Sequence, residues 1–173
     1  KRAEAGLPLD IASVASVFVS RIDGAVDALL AEKKEPSLKG HIAVDNTRMT
    51  YRKFKEIFSQ ENGCWQTLAK KGARVQRTLW ASTGTKDPSY SDVLYVESFI
   101  GPDTVNTVPP KTLSAFLDHG KAALTVENDI QGAEARLERL DKIGIDLRDV
   151  CAKLMADGVE SFNVAFRSLM KSI

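Results

Sequence analysis

The chain contains few of the residues that bind metals or form disulfides. Among its 173 residues there are only two histidines, His41 and His119, and two cysteines, Cys64 and Cys151. None of the four has partners at the spacing of a metal site. Cys151 also lies in an apolar helical pattern, so we expect both thiols to be reduced. The sequence therefore predicts no metal site, no disulfide and a cytoplasmic protein.

An excess of charge of either sign and a long apolar run are also missing. The 24 basic and 23 acidic residues give a net charge of +1 and are spread without the basic block of a nucleic-acid groove. The apolar runs are far shorter than the roughly 20 residues that span a bilayer. The first ten residues lack the apolar core of a signal peptide. We expect neither nucleic acid nor a membrane as a partner.

Three short apolar runs alternate with helical patterns. Residues 12–19 (ASVASVFV) are rich in β-branched and small side chains and predict a strand buried on both faces, and residues 75–82 and 104–108 predict two further strands. Helical spacing follows each run, with Asp23 as the expected cap of one helix and a longer helix expected from Ser37. This alternation predicts an α/β fold with a parallel sheet.

The number of strands limits the architecture. Three strands are too few for a closed (β/α)8 barrel, which typically takes about 250 residues. The chain is either a small open sheet or the last part of a barrel whose first strands are absent. Its opening, Lys1–Ala5 followed by Gly6, resembles the end of a helix and favours the second option. Apolar strands need cover on both faces and at their edge, so we expect the chain not to be a stable monomer alone.

Cationic and hydroxyl residues follow the predicted strands, where ligands bind in parallel α/β folds. Arg21 follows the first strand, the segment 82–86 (STGTK) follows the second, and Asn106 and Thr107 end the third. Arginine offers forked donors to phosphate oxygens, lysine adds a point charge, and a glycine such as Gly84 lets backbone N–H groups approach an anion. The pattern predicts a phosphate site.

The same residues have ordinary structural interpretations. Arg21 could form a surface pair with Asp23, and Lys86 could lie in a solvated turn. Ser16 could hydrogen-bond only the backbone, and Asn106 could be a turn residue at a strand end. Taken singly, none of these residues is specific for a ligand.

Three segments, in order, resemble the transaldolase family. SVASVFVSRID (13–23) is similar to the family's strand and turn in which a serine and an arginine five residues apart hold the sugar phosphate. LWASTGTKDPSYSDVLYV (79–96) and GPDTVNTVP (101–109) are similar to two later segments, and DHG (118–120) also matches. The form with ASTGTK resembles the longer bacterial subfamily. The similarity runs from about residue 12 to the C-terminal helices.

The resemblance implies a fold and a reaction. The fold is the C-terminal part of a (β/α)8 barrel of the class I aldolase type, with residues 1–173 as a single-domain fragment whose strands correspond to the sixth, seventh and eighth. The reaction is transaldolase: a dihydroxyacetone unit passes from sedoheptulose 7-phosphate to glyceraldehyde 3-phosphate, giving erythrose 4-phosphate and fructose 6-phosphate. It proceeds through a lysine Schiff base, needs no cofactor or metal, and belongs to the pentose phosphate pathway.

The resemblance also assigns site residues. Ser16 and Arg21 match the family's phosphate-binding serine and arginine, and Ser82 matches a serine of the substrate pocket. Lys86 lies where other members have a phosphate-binding arginine, although an insertion changes the pattern there. The family's Schiff-base lysine and its catalytic aspartate and glutamate lie on earlier strands. We therefore expect no catalytic residue in this segment, with sugar phosphates and the N-terminal segment of the same protein as partners.

Other functions fit the residues as well. A sugar-phosphate-binding α/β module without catalysis would explain the lack of a nucleophile with an acid–base pair. A helical interaction domain would explain the helix-rich last third. Lys86 is the only lysine directly after a predicted strand and could be tested as the Schiff-base lysine, but a phosphate contact suits its type and position better.

Overall fold

The computed structural model describes residues 1–172 and contains a three-stranded parallel sheet. The strands are β1 (Ser13–Phe18), β2 (Gln76–Ala81) and β3 (Thr104–Asn106), in the order β1-β2-β3. The register pairs Phe18 with Ala81 and Trp80 with Asn106. Because the strands are parallel, their carboxyl ends lie at one edge of the sheet. The predicted α/β layout with three strands is confirmed.

Helices connect and follow the strands. They are α1 (Val19–Glu32), a 3₁₀ turn (Pro36–Leu38), α2 (Ile42–Ile57), α3 (Gly63–Ala69), α4 (Leu94–Ser98), α5 (Pro110–His119), α6 (Ile130–Lys142) and α7 (Leu147–Ser172). α2 packs against α1 and α6, and α7 packs against α1. Within residues 1–172, no helix combines the length and the apolar character needed to cross a membrane.

The core lies between one face of the sheet and the helices. Trp80 is 1% exposed, as expected for a core residue, and its indole Nε1 donates to the Phe99 carbonyl at 3.1 Å. The neighbouring face position on β1, Val17, packs against the same core. Between two of the helices, Arg136 of α6 donates to both carboxylate oxygens of the buried Asp45 of α2 at 2.7 Å. Apolar packing and this bidentate pair hold the helices in place.

Two expectations about the first helices are wrong. Asp23 does not cap α1, because the helix begins at Val19 and Asp23 lies in its second turn, where it is buried. The helix expected from Ser37 begins at Ile42 instead. The chain turns at Gly40, whose φ of +74° separates the 3₁₀ turn from α2. Glycine adopts this left-handed backbone conformation without the cost that a side chain would add.

The expected burial of the first strand is also wrong for this chain. Five of the six residues of β1 are exposed and the sixth is partly buried. The physical reason is that β1 lies at the edge of the sheet with β2 as its single neighbour. On the face opposite the core, Val14 and Phe18 remain 41% and 40% exposed, because no second layer of the described structure packs against this face of β1.

Candidate functional site

The carboxyl ends of β1 and β2 lie next to each other at one edge of the sheet. The Ser20 amide donates to the Ser82 carbonyl at 3.1 Å, directly beyond the last strand pair. Ser82 has a φ of +56°, which is uncommon for a residue with a side chain. Strained backbone of this kind clusters at ligand sites. The start of α1 and the loop after β2 therefore leave the sheet side by side.

Arg21 extends from the third position of α1 and is exposed. Its guanidinium carbon lies 4.7 Å from the centroid of the Phe18 ring, a cation–π contact. The alternative surface pair with Asp23 is not formed, because the Asp23 carboxylate accepts the Ala43 amide at 2.9 Å and the Tyr95 hydroxyl at 2.7 Å. Within residues 1–172 Arg21 has no ion-pair partner, so its donors can serve a ligand.

Ser16 and Arg21 line one cavity of about 500 Å³. Its opposite wall consists of α7 residues, namely Cys151, Leu154, Met155, Gly158, Val159 and Phe162. A Cβ on Gly158 would lie 3.3 Å from the Arg21 Nη1 atom, so the glycine lets α7 lie close to the guanidinium. Partial burial raises the pKa of the Cys151 thiol, which keeps that thiol neutral. The cavity thus combines one cation, two hydroxyls and one side-chain amide with an apolar wall.

The loop after β2 is fixed near its start. Thr83 is 0% exposed, and its hydroxyl donates to the Asn106 side-chain oxygen at 2.8 Å, which joins the loop to the end of β3. Gly84 packs against the start of α5, where an added Cβ would lie 3.2 Å from the Thr112 hydroxyl oxygen. Asn106 therefore does more than end a strand, since it holds the loop that carries Ser82 and Lys86.

Lys86 lies on the exposed part of this loop. The predicted turn follows it, closed by the Tyr90 amide donating to the Asp87 carbonyl at 3.1 Å. Asp87 pairs with Lys39 at 2.7 Å, and that contact together with hydrogen bonds from Ser89 lowers the pKa of Asp87. Lys86 has no ion-pair partner within residues 1–172. The solvated-turn interpretation describes its surroundings, and the ammonium group remains available to a ligand.

The four predicted site residues are thus only partly brought together. Ser16 and Arg21 share a cavity. Ser82 adjoins them through its backbone contact with Ser20, but its side chain is not among those lining that cavity. Lys86 lies outside the cavity, four residues further along the loop.

Two tyrosine–aspartate pairs beside the site are absent from the sequence-based expectations. The Tyr95 hydroxyl donates to Asp23 at 2.7 Å, and the Tyr90 hydroxyl donates to Asp27 at 2.5 Å. Burial raises the pKa of Asp23, and burial with the neighbouring carboxylates raises the pKa of both tyrosines. The four-residue spacing of the aspartates on one helix face is a pattern that could have indicated a shared contact surface.

The remaining metal-binding residue types do not form a cluster. Within residues 1–172, no three His, Cys, Asp or Glu side chains are grouped so as to hold a metal ion. His119, at the end of α5, lies 2.9 Å from Asp92 and 3.1 Å from Asp118, and these carboxylates raise its pKa. Cys64 is exposed and Cys151 partly buried, and both are free thiols.

Comparison with known proteins places the whole chain in one group. The sequence pattern of the family described as Transaldolase/Fructose-6-phosphate aldolase matches residues 1–173. The chain is 44% identical over 177 residues to Transaldolase 2 of Nostoc punctiforme, covering 94% of the chain and 46% of that protein. It is 41% identical over 186 residues to the transaldolase of Trichodesmium erythraeum, covering 99% and 48% respectively.

A third relative, the transaldolase of Thiobacillus denitrificans, is 42% identical over 177 residues, which cover 100% of the chain and 49% of that protein. The chain therefore spans about half the length of the curated relatives that it matches.

Proposed function

The chain belongs to the transaldolase/fructose-6-phosphate aldolase family, and we propose that it forms the sugar-phosphate-binding portion of a transaldolase. The full-length protein would transfer a dihydroxyacetone unit from a ketose phosphate to an aldose phosphate. Because the chain spans about half the length of its relatives, the Schiff-base lysine and the acid–base residues would come from the rest of that protein.

The observation that carries this proposal is the placement of Arg21. Its guanidinium has no ion-pair partner within residues 1–172, stacks on Phe18, and shares a cavity with the Ser16 hydroxyl near the carboxyl end of β1. A forked guanidinium beside a hydroxyl suits the oxygens of a phosphate monoester. Lys86, on the adjoining loop, would add a second positive charge to the same phosphate.

Binding the phosphate would contribute to catalysis through position. An amine attacks the ketose carbonyl, the resulting imine allows the retro-aldol cleavage, and the three-carbon unit then adds to the acceptor aldehyde. Arg21, Ser16, Ser82 and Lys86 take no part in those bond changes. By anchoring the remote phosphate they would hold the carbonyl near the amine, which lowers the entropic part of the barrier.

The finer fold assignment belongs to the same proposal. We infer that β1, β2 and β3 are the last three strands of a (β/α)8 barrel of the class I aldolase type. In that barrel a preceding strand would pair with the free edge of β1, and other strands would cover Val14 and Phe18, which are exposed in this chain. The strands missing from this chain would thus explain why β1 has an apolar sequence but is exposed in the structure.

Borohydride trapping tests the proposed function. The full-length protein is incubated with fructose 6-phosphate and reduced, and the adduct is located by peptide mass spectrometry. We expect a three-carbon adduct on a lysine outside residues 1–173, and no adduct on the isolated chain. Failure of the full-length protein to form any adduct would favour the alternative, a sugar-phosphate-binding module without catalysis. An adduct on Lys86 would overturn its role as a phosphate contact.

A further inference from the structure

We propose that Tyr90 and Asp27 are positioning residues that hold the loop carrying Lys86 in a fixed place relative to α1, which carries Arg21. The inference rests on the proposed function, in which both cations bind the same donor phosphate. Two cations bind one anion tightly only if the elements that carry them keep a constant separation. If either element moves in the free protein, binding must order it, and the lost conformational entropy weakens the affinity for the anion.

α1 presents different groups on its two sides. Arg21 faces the cavity, whereas Asp27 faces the loop after β2 and the turn before α2. One Asp27 carboxylate oxygen accepts the Tyr90 hydroxyl at 2.5 Å, and the other accepts the Gly40 amide at 3.3 Å. A hydrogen bond to a carboxylate in a partly buried position is among the stronger ones in proteins. The helix that carries Arg21 is therefore tied directly to the loop.

The ring of Tyr90 also packs against Gly40 and Lys39. A Cβ added to Gly40 would lie 2.9 Å from the Tyr90 Cε1 atom, so the ring rests on a position that only glycine leaves open. The Lys39 ammonium lies 5.6 Å from the ring centroid and pairs with Asp87 at 2.7 Å. These contacts fix Asp87 and Tyr90, which lie one and four residues after Lys86.

The start of the loop is fixed independently. The Ser82 carbonyl accepts the Ser20 amide, and Thr83 donates to Asn106. Lys86 thus lies between two anchors, one at residues 82–83 and one at residues 87–90, and its side chain forms no hydrogen bond or ion pair within residues 1–172. Releasing the second anchor would let Lys86 move while the sheet, α1 and the cavity stay in place.

Steady-state kinetics of the full-length protein separate positioning from general stability. The variants are Tyr90→Phe, Asp27→Ala, the double variant and Asp27→Asn, assayed with fructose 6-phosphate and with unphosphorylated fructose as donors. Tyr51→Phe is the matched control, because it also removes a tyrosine hydroxyl from a partly buried hydrogen bond, here one donated to the Pro102 carbonyl at 3.0 Å before β3 begins. Lys86→Ala reports whether the lysine contributes to phosphate binding.

We expect Tyr90→Phe and Asp27→Ala each to raise KM for fructose 6-phosphate by about three- to tenfold, with kcat and the fructose parameters within about twofold of the parent. The double variant should be no worse than Asp27→Ala, since that single variant already removes the Tyr90 contact together with the Gly40 contact. Asp27→Asn retains an acceptor for the hydroxyl and should keep KM close to that of the parent. Tyr51→Phe should not change KM.

The outcomes distinguish failure of this inference from failure of the proposed function. A parent protein without transaldolase activity would overturn the proposed function itself. With an active parent, an unchanged KM in Tyr90→Phe would overturn the positioning role. Equal losses with both donors, additive effects in the double variant, or an unchanged KM in Lys86→Ala would overturn it as well.

Discussion

Arg21 and Asp23 are two residues apart on α1 and have opposite surroundings. Arg21 stacks on Phe18 at the cavity, whereas Asp23 is 2% exposed and bonded to two core groups. Residues two apart on a helix do not face each other. These two charged residues, which the sequence allows as a surface ion pair, are therefore separated: Arg21 lies at the cavity and Asp23 in the core.

The buried Asp23 predicts a specific dependence of stability on pH. Burial raises its pKa above the ordinary value of 3.8, so the folded state binds its proton more tightly than the unfolded state does. The unfolding free energy contributed by Asp23 must then fall as the pH rises from 3.8 to the folded-state pKa, and stay constant above it. Asp23→Asn, which does not titrate, lacks this fall.

The measurement is urea unfolding of the full-length parent and of Asp23→Asn across that pH range. We expect the difference in unfolding free energy, parent minus variant, to decrease as the pH rises. A difference that is constant, or that increases with pH, would contradict the assignment of a raised pKa to Asp23.

Residue types at the site were predictable, but their partners were not. Ser16, Arg21, Ser82 and Lys86 could be named because they follow strands and because the surrounding motifs resemble a family. The bond between Tyr90 and Asp27 joins residues 63 positions apart. No local pattern encodes such a contact, since it depends on how the loop after β2 folds back over α1.

At the scale of elements, hydrophobic periodicity located the three strands to within two residues at each end. The periodicity gave wrong predictions in two cases. In one, a single residue changed the backbone conformation, and in the other, the burial of a strand depended on the elements around it. Gly40, with its positive φ, delays the start of α2 to Ile42. β1 has the composition of a buried strand, but whether it is buried depends on which other strands and helices pack against it, and the residues of β1 alone do not determine that.

Gly40 is the element-scale position with the clearest energetic consequence. Gly40→Ala would place a side chain at φ +74° and bring its Cβ to 2.9 Å from the Tyr90 ring. We expect a loss of about 1–3 kcal/mol in unfolding free energy, measured by urea unfolding of the full-length protein.

Gly24→Ala is the control for that substitution, because Gly24 lies within α1 and an added Cβ would meet nothing within 4 Å. It should stabilise the protein by about 0.5–1 kcal/mol. If the two substitutions changed the unfolding free energy equally, neither the positive φ of residue 40 nor its close approach to the Tyr90 ring would require a glycine.

At the scale of the whole molecule, large apolar side chains are exposed on several elements. Two such surfaces are the face of β1 opposite the core and the second half of α7, whose exposed apolar residues are Val159, Phe162, Val164, Phe166, Leu169 and Met170. Large exposed apolar patches on a protein usually mark surfaces that contact another polypeptide. In the proposed barrel, the rest of the full-length protein would supply the cover for β1.

The isolated chain is therefore expected to self-associate. Light scattering coupled to size-exclusion chromatography should give a mass well above 18.9 kDa, and a dye that reports exposed apolar surface should bind strongly. The full-length protein should bind much less of the dye. A monomeric isolated chain without dye binding would contradict the expectation that these surfaces need cover.

The most direct test of the account is the Michaelis constant of Arg21→Ala in the full-length protein. Loss of charged hydrogen bonds worth about 1.5–3 kcal/mol predicts a rise in KM for fructose 6-phosphate of about 10- to 100-fold. Arg139→Ala, which removes an exposed arginine paired with Glu35 on the helical layer, should leave KM unchanged. An Arg21→Ala protein whose KM for fructose 6-phosphate equals that of the parent would contradict the account.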